Sequence, residues 1–223
     1  WELDREYSNS IRIKKIKPHS ELFENQVWSI FYKMGYNRLN IDSTFKIPYA
    51  NNSNIPPRQI DVFCFDDDTV LIIECKSSEK RKPRPLQTII NDFANIKSGI
   101  SRYINSFFET RKKIKFIIAT NNIIVSQNDI NRIKENEILL FTQDDIKYYE
   151  QLSSHLGEAS KYQLFGRIFS GLSIPSLKTK VPAIKGKMGG HTYYSFSIQP
   201  EKLLKLSYIL HNNTLTEKNA LTH

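Results

Sequence analysis

Two carboxylates and a lysine lie at spacings that could build one site. Asp61 precedes Glu74 by thirteen residues, and Lys76 follows Glu74 with a single cysteine between them. Residues two apart on a β-strand share a face, so Glu74 and Lys76 are expected to point the same way. If a hairpin turns at residues 67–68, Asp61 faces Glu74, with Cβ atoms about 4.5–5.5 Å apart.

Such an arrangement requires a cation. Two carboxylates at that separation repel each other unless a positive charge lies between them. Mg²⁺, which takes oxygen ligands and keeps several waters, suits the pair, and Mn²⁺ is an expected substitute. A neighbouring lysine can polarise an attacking water or stabilise the charge of a pentavalent phosphorane. Asp61, Glu74 and Lys76 therefore predict metal-dependent hydrolysis of a phosphodiester.

An ordinary salt bridge is the alternative interpretation, since Asp–Lys and Glu–Lys pairs are common at strand ends. The local context favours a functional site. Glu74 directly follows the apolar run of residues 70–73, where an unpaired buried carboxylate costs on the order of several kcal/mol. Asp61 on the facing strand would increase that cost unless a metal ion or a lysine offsets it.

The positive charge of the chain is concentrated around this motif. The net charge is +9, and residues 76–115 hold eleven Lys or Arg against three acidic residues, a net +8. A localised field of this sign suits a polyanionic partner, although it also suits a solvated face. The expected nucleic-acid contacts are Lys80, Arg81, Lys82 and Arg84.

A helix and a hairpin are predicted to position the site. Residues 20–34 form an amphipathic helix that ends at Gly35. Glu24 borders its apolar stripe and can reach the site, whereas Glu21 points away. The stripe contains Leu22, Phe23, Val27, Ile30, Phe31 and Met34. The hairpin strands are residues 59–65 and 69–76, and the second is apolar on both faces, which indicates a central strand.

Alternating helices and strands follow the hairpin. They are a long helix after Pro85, a strand at 115–120, a helix capped by Ser126, a strand at 138–141, and a helix capped by Thr142 that ends near Gly157. This order predicts an α/β fold with a mixed central sheet flanked by helices, spanning residues 1–157.

Residues 158–223 form a predicted C-terminal extension with a helix, a strand and a helix. The helices cover residues 162–172 and 200–211, and the strand covers residues 192–198. The basic segment 175–190, with two prolines and three glycines, is predicted to be a linker or long loop. The extension either packs on the main domain or begins a second domain.

The motif and its surroundings resemble the PD-(D/E)xK nuclease superfamily, especially its Mrr-like and restriction-endonuclease-like members. The similarity covers residues 20–157. The matching residues are Phe23-Glu24, Met34-Gly35-Tyr36, Ile60-Asp61 and Glu74-Cys75-Lys76-Ser77. One departure is that Gln59, rather than proline, precedes Ile60-Asp61.

The resemblance implies a restriction-endonuclease-like core and a role for each matched residue. Asp61 and Glu74 would hold Mg²⁺ together with the backbone carbonyl of Cys75. Lys76 would assist the attacking water, and Glu24 would join the site from its helix. The implied activity is endonucleolytic cleavage of DNA in prokaryotic defence or restriction. Because cutting a duplex usually needs two active sites, a homodimer is an expected arrangement.

The C-terminal segment has a second, partial resemblance. Its matching segments are Val181-Pro182-Ala183-Ile184, residues 194–200 and Leu203-Leu204. They are similar to the region before the signature of DGQHR-domain proteins, ParB-like proteins associated with DNA modification and defence. That signature is absent here. The resemblance therefore predicts a chain that belongs to a longer protein or to a defence system with further partners.

Other functional classes find little support in the sequence. No apolar run is long enough to cross a membrane, and the first residues do not resemble a secretion signal. Cys64 and Cys75 lie in apolar stretches, which indicates reduced thiols in a cytoplasmic protein. The five histidines show no metal-ligand spacing.

Two other functions stay open beside the nuclease. One is a catalytically silent module of the same fold that binds nucleic acid through its basic face. The other is a protein-interaction module whose charges only keep it soluble. The presence of Asp61, Glu74 and Lys76 favours the nuclease, because a binding module has no need for all three.

Overall fold

The computed structural model describes residues 2–14, 17–42, 44–50, 52, 54–67, 69–108, 112–170, 184–188 and 191–195, the last two segments and residue 170 by backbone only. Their strands are β1 Glu2–Tyr7, β2 Ser10–Lys14, β3 Arg38–Leu39, β4 Lys46–Ile47, β5 Arg58–Gln59, β6 Val62–Phe65, β7 Thr69–Pro83, β8 Lys113–Ile124, β9 Leu139–Phe141, β10 Ile184–Met188 and β11 His191–Ser195. Their α-helices are α1 His19–Lys33, α2 Gln87–Asn105, α3 Gln127–Glu135, α4 Gln143–Leu156 and α5 Lys161–Ser170.

A five-stranded mixed sheet forms the centre of the fold, in the order β3-β6-β7-β8-β9. Strands β3, β6 and β7 pair antiparallel, whereas β7, β8 and β9 are parallel and are connected through α2 and α3. This arrangement confirms the predicted α/β class with a mixed sheet, and it is compatible with a restriction-endonuclease-like core.

Helices cover both faces of the sheet. Leu71 and Ile73 belong to the core cluster formed with α1, α4 and α5, and Val70 and Ile72 belong to the cluster formed with α2 and α3. All four side chains are fully buried, so β7 is the doubly covered central strand that its apolar run predicts. Leu22 of α1 is the exception in its predicted stripe, because it is 54% exposed.

The β6–β7 hairpin has the predicted register. Val62 pairs with Ile73, and the Asp66 N–H donates to the Thr69 carbonyl at 3.0 Å. The predicted strand 59–65 is nevertheless wrong at its start. Residues 58–59 form β5, which pairs with β4 rather than with β7. Pairing on the β4 side continues to Ile60, whose N–H donates to the Phe45 carbonyl, and pairing with β7 begins at Val62.

Two predicted helix caps are confirmed. The Ser126 hydroxyl accepts the Asp129 N–H at the start of α3. At the start of α4, Thr142 and Asp145 form a complete capping box. Such caps satisfy backbone N–H groups that have no partner within the helix, so they define where each helix begins.

The C-terminal segment differs from its prediction. Residues 184–188 lie in the predicted linker but form β10, which pairs antiparallel with β11. The order after α4 is therefore helix, strand, strand, and the predicted helix 200–211 lies outside the described residues. Leu164 and Ile168 of α5 belong to the core cluster of the α1 face. None of the helices in the described ranges combines the length and apolar composition that a membrane span requires.

Candidate active site

The hairpin brings the predicted acidic pair and lysine together. Lys76 Nζ donates to Glu74 Oε1 at 2.7 Å and to the Cys75 carbonyl at 3.1 Å. The same Nζ lies 3.6 Å from Asp61 Oδ2. One ammonium group therefore contacts the two carboxylates and the one carbonyl that the family resemblance implies as metal ligands.

Hydrogen bonds to the backbone fix Asp61 in this position. Its Oδ2 accepts the Cys75 N–H at 2.7 Å, which connects the carboxylate directly to β7. Its carbonyl accepts a hydrogen bond from Asn40 Nδ2 at 3.2 Å. Asn40 is 5% exposed, and its Oδ1 also accepts the Phe63 N–H at 3.0 Å. Asn40 thus replaces strand pairing where β6 begins.

Sequence reasoning missed Asn40. The residue lies 21 positions before Asp61 in a loop-like segment, and a single asparagine there carries no functional pattern. Trp28 Nε1 donates to the Asn40 carbonyl at 2.9 Å, so α1 also helps to hold it. The only sequence signal was a polar residue beside the apolar Leu39, which is too common to interpret.

Burial dominates the electrostatics of Glu74. The side chain is 8% exposed, and this burial raises the pKa of Glu74, as does the negative charge of Asp61. Lys76 and Arg58 lower that pKa but do not cancel the increase. An ionised Glu74 beside Asp61 is therefore an unfavourable arrangement that additional positive charge would relieve.

The pKa of Lys76 is also raised, which favours its charged form. Burial by itself would lower the pKa of Lys76, but the carboxylates of Glu74 and Asp61 outweigh burial and raise it. The side chain therefore carries its charge at neutral pH and acts as a hydrogen-bond donor. Burial raises the pKa of the Cys75 thiol well above its usual value, so its backbone carbonyl is the group it offers the site.

Glu24 reaches the site from α1, as predicted. Burial raises its pKa, and Asp61 raises it further, whereas Lys76 lowers it. Glu24 and Asp61 line one cleft, here called the acidic cleft. Its other lining residues are Lys17, Glu21, Asn25, Trp28, Asn40, Ile41 and Asp42. Glu21, which is expected to point away from the apolar stripe of α1, also lines this cleft, but its ion pair is with Lys17 at 3.1 Å rather than with a group of the site.

A second cleft opens on the other side of the carboxylates. It has a volume of about 540 Å³ and is here called the arm cleft, because β4, β5 and the segment between them form most of it. Besides Asp61 and Glu74, it is lined by Lys46, Tyr49, Pro56, Pro57, Arg58 and Gln59. Arg58 Nη2 lies 3.7 Å from Glu74 Oε1, a contact that sequence reasoning missed.

The donor groups of the site fit a hard divalent cation. Asp61, Glu74 and the Cys75 carbonyl supply only oxygen, which Mg²⁺ prefers, and they already converge on the Lys76 ammonium. Across the part of the chain that the structure describes, no three His, Cys, Asp or Glu side chains form a metal-binding group. Two carboxylates and a carbonyl would leave coordination positions for water, as Mg²⁺ sites usually do.

The predicted nucleic-acid contacts lie at the far end of β7. Lys80, Arg81, Lys82 and Arg84 are all exposed, four to eight residues beyond Lys76. A bulge separates the Ser77 and Lys82 pairings with β8, and Asn122 on β8 has a positive φ of 55°. Arg84 Nη1 donates to the Ser77 carbonyl at 3.4 Å. His19 Nδ1 contacts Ser77 Oγ at 3.1 Å, between the site and this basic end.

Several other cations of residues 76–115 have structural roles. Lys97 pairs with Glu137 at 2.9 Å, and Lys112 donates to the Asp66 carbonyl at 3.1 Å. Lys113 and Lys115 lie over the ring of Phe169. Some cations of residues 76–115 therefore stabilise the fold, and others lie exposed at the end of β7. The basic segment does not form one uniform face.

Comparisons with known proteins were made on sequence and on structure. No family model and no curated protein matches this sequence. The fold is similar to VC1899 from Vibrio cholerae, with a TM-score of 0.39 and 14% identity, covering 62% of this chain and 33% of that one. It is also similar to Can2 from Sulfobacillus thermosulfidooxidans, solved with cyclic tetra-adenylate, with a TM-score of 0.40 and 16% identity, covering 59% and 34%. The match spans about a third of each of these proteins.

Proposed function

We propose that this chain is a Mg²⁺-dependent DNA endonuclease of the PD-(D/E)xK type. One observation carries the proposal: Asp61, Glu74 and the Cys75 carbonyl converge on a single positive charge, the Lys76 ammonium. A structural salt bridge needs one carboxylate and one lysine. The second carboxylate, almost buried beside the first, increases repulsion and is explained by a cation of higher charge.

Each residue has a defined task in this reaction. Asp61, Glu74 and the Cys75 carbonyl would hold the Mg²⁺, which supplies Lewis acidity and a bound water of lowered pKa. Lys76 donates a hydrogen bond to the attacking water or to a phosphoryl oxygen. Glu24, which lines the acidic cleft together with Asp61, would orient water there. Water oxygen bonds to phosphorus and one ester oxygen leaves with a proton, giving a phosphate monoester and a free hydroxyl.

Incubation with nucleic acids tests the proposal. The purified chain is given plasmid, linear duplex, single-stranded DNA or RNA, with Mg²⁺ or with EDTA. We expect DNA breakage that needs Mg²⁺ and that Asp61→Asn loses. Asp92→Asn, an exposed aspartate on α2, serves as the matched control and should cut like wild type. Absence of cleavage on every DNA, or equal cleavage by Asp61→Asn, contradicts a nuclease.

A silent nucleic-acid-binding module is the second candidate, and the exposed cations at the end of β7 favour it over a protein-interaction module. A salt titration of DNA binding separates these two, because phosphate contacts give a steep decrease in affinity with salt.

The plasmid product reports on the proposed homodimer: a single active site nicks the circular plasmid, whereas paired active sites linearise it. Restriction or defence of a prokaryotic genome is the setting that the motif resemblance favours.

A further inference from the structure

Arg58 is a charged residue of the site whose hydrogen-bonding capacity is largely unused. Its Nη2 lies 3.7 Å from Glu74 Oε1, too far for a hydrogen bond, and its side chain is 36% exposed. Within the described residues this is the only polar contact of its guanidinium, which carries five N–H donors. Arg58 thus lies beside Glu74 with a partly exposed guanidinium that has N–H donors to offer a ligand.

The charges of the two clefts differ. Among the described residues that line the arm cleft, Lys46 and Arg58 accompany the site carboxylates Asp61 and Glu74, and no other acid occurs. Among those that line the acidic cleft, Glu21 and Asp42 add negative charge and Lys17 is the one cation. A phosphodiester is an anion, so the field favours its approach through the arm cleft, with water on the acidic side.

Arg58 lies on the arm, the name used here for β4, β5 and the described residues between them. The arm is fixed to the core. Ile47 of β4 is buried in the α2-side cluster and pairs with Arg58 of β5. The Tyr49 backbone lies against α2, where a Cβ built on Gly99 would come within 1.8 Å of the Tyr49 carbonyl. Two prolines, at 56 and 57, precede Arg58 and restrict the backbone of the segment that leads to it. This rigidity lowers the entropic cost of binding a ligand with the guanidinium.

We propose that Arg58 binds a phosphate of the DNA strand at the cleavage point and that Lys46 contacts the neighbouring sugar-phosphate backbone of the DNA. The proposal rests on the proposed nuclease function and adds the direction from which the strand enters. The planar guanidinium fork matches two non-bridging phosphate oxygens, which a lysine cannot match. The competing role for Arg58 is structural, in which it serves only to hold the Glu74 carboxylate in place.

A Glu74→Gln background separates these roles, because it removes the negative charge that a structural Arg58 would hold. Binding of a short fluorescent DNA duplex is measured in EDTA by anisotropy at several salt concentrations. Adding Arg58→Ala should weaken binding about tenfold and lower the salt slope by about 0.9. Adding Arg58→Lys should weaken it about threefold at an unchanged slope, since the charge stays but the fork is lost.

Arg12→Ala in the same background is the matched control, because Arg12 also pairs with a carboxylate, Asp4, at 3.2 Å. It should leave both affinity and slope unchanged. Equal binding by Glu74→Gln with and without Arg58→Ala overturns the proposal, and so does an equal loss with Arg12→Ala. If Arg58→Ala does not fold, unchanged binding by Arg58→Lys overturns it instead. No readout depends on cleavage, so a wild type that cuts nothing would refute the nuclease and leave this test intact.

Discussion

The Lys76 ammonium contacts the same three oxygen groups that the family resemblance implies as metal ligands. At 2.7 Å from Glu74 and 3.6 Å from Asp61, it offsets part of their repulsion. The pKa of Glu74 is nevertheless raised, by burial and then by Asp61. Lys76 and Arg58 therefore offset only part of what burial and Asp61 do to the pKa of Glu74, and the proposed Mg²⁺ would add positive charge at the same place.

Loss of Lys76 or of the Glu74 charge should abolish catalysis without abolishing binding. Lys76→Ala and Glu74→Gln are each expected to lower Mg²⁺-dependent cleavage at least about 100-fold, because groups acting together on one reacting centre fail together. DNA affinity should change far less than the rate, since Arg58, Lys46 and the exposed cations from Lys80 onward keep their phosphate contacts in both variants. Single-turnover cleavage and anisotropy measure the two effects, with Lys147→Ala, exposed on α4, as the control. Wild-type cutting by either variant would refute the mechanism.

Glu74→Gln should also change how stability depends on pH. Because burial and Asp61 raise the pKa of Glu74, ionising it costs folding free energy as pH rises through the folded-state pKa. In EDTA the variant should therefore melt above wild type at pH 7, by about 2–4 °C for each kcal/mol relieved. The difference should shrink below the usual glutamate pKa of about 4.3.

Thermal melts of wild type and Glu74→Gln across this pH range provide the measurement. Glu135→Gln, at an exposed position of α3, controls for the substitution itself. A wild type that melts above Glu74→Gln at pH 7, with the gap closing toward acid, would show that the Lys76 ion pair outweighs the burial of Glu74.

At the scale of elements, local patterns predicted the sheet and its central hairpin. The apolar run of residues 70–73 and the two-residue loop fixed both the burial of β7 and its register with β6. Asn40 and Arg58 were not predictable in the same way. Both come from segments whose position depends on tertiary contacts, and neither residue type has a spacing that marks it. The predicted strand 59–65 was wrong at its start for the same reason, because β5 pairs with β4, which is distant in the sequence.

The contact between Gly99 and the Tyr49 backbone gives a prediction for the arm. Glycine to alanine inside a helix normally stabilises by about 0.5–1 kcal/mol. Here the added Cβ would meet the Tyr49 carbonyl at 1.8 Å, so Gly99→Ala should instead destabilise by about 1–3 kcal/mol. It should also weaken DNA binding, because Arg58 moves with the arm.

Thermal melting and DNA anisotropy test Gly99→Ala against Ser98→Ala, an exposed neighbour on the same helix. Ser98→Ala should leave both quantities close to wild type or raise the melting temperature slightly. An increase in stability with Gly99→Ala would mean that the arm yields without cost and does not hold Arg58 rigidly.

At the scale of the whole molecule, charge and chemistry occupy different parts of one strand. β7 carries Glu74 and Lys76 at the site and exposed cations from Lys80 onward, four residues further along the strand and within its bulge. The net charge of +9 predicted a polyanionic partner, but it did not distinguish these cations from Lys97 or Lys112, which stabilise the fold. That distinction needs the folded chain, because it depends on which lysines find an acceptor nearby.

Removing the exposed cations at the far end of β7 should therefore weaken DNA binding and leave catalysis intact. A variant with Lys80, Arg81 and Lys82 all changed to Ala should lose up to about 0.9 of salt slope for each phosphate contact removed. Its single-turnover rate at saturating DNA should stay within a few-fold of wild type, because the groups around Asp61 are untouched. The control changes three exposed lysines elsewhere, Lys33, Lys134 and Lys147, so that both variants lose the same net charge. If both bind DNA equally weakly, overall charge rather than the end of β7 attracts the nucleic acid, and the predicted contacts at residues 80–82 are wrong.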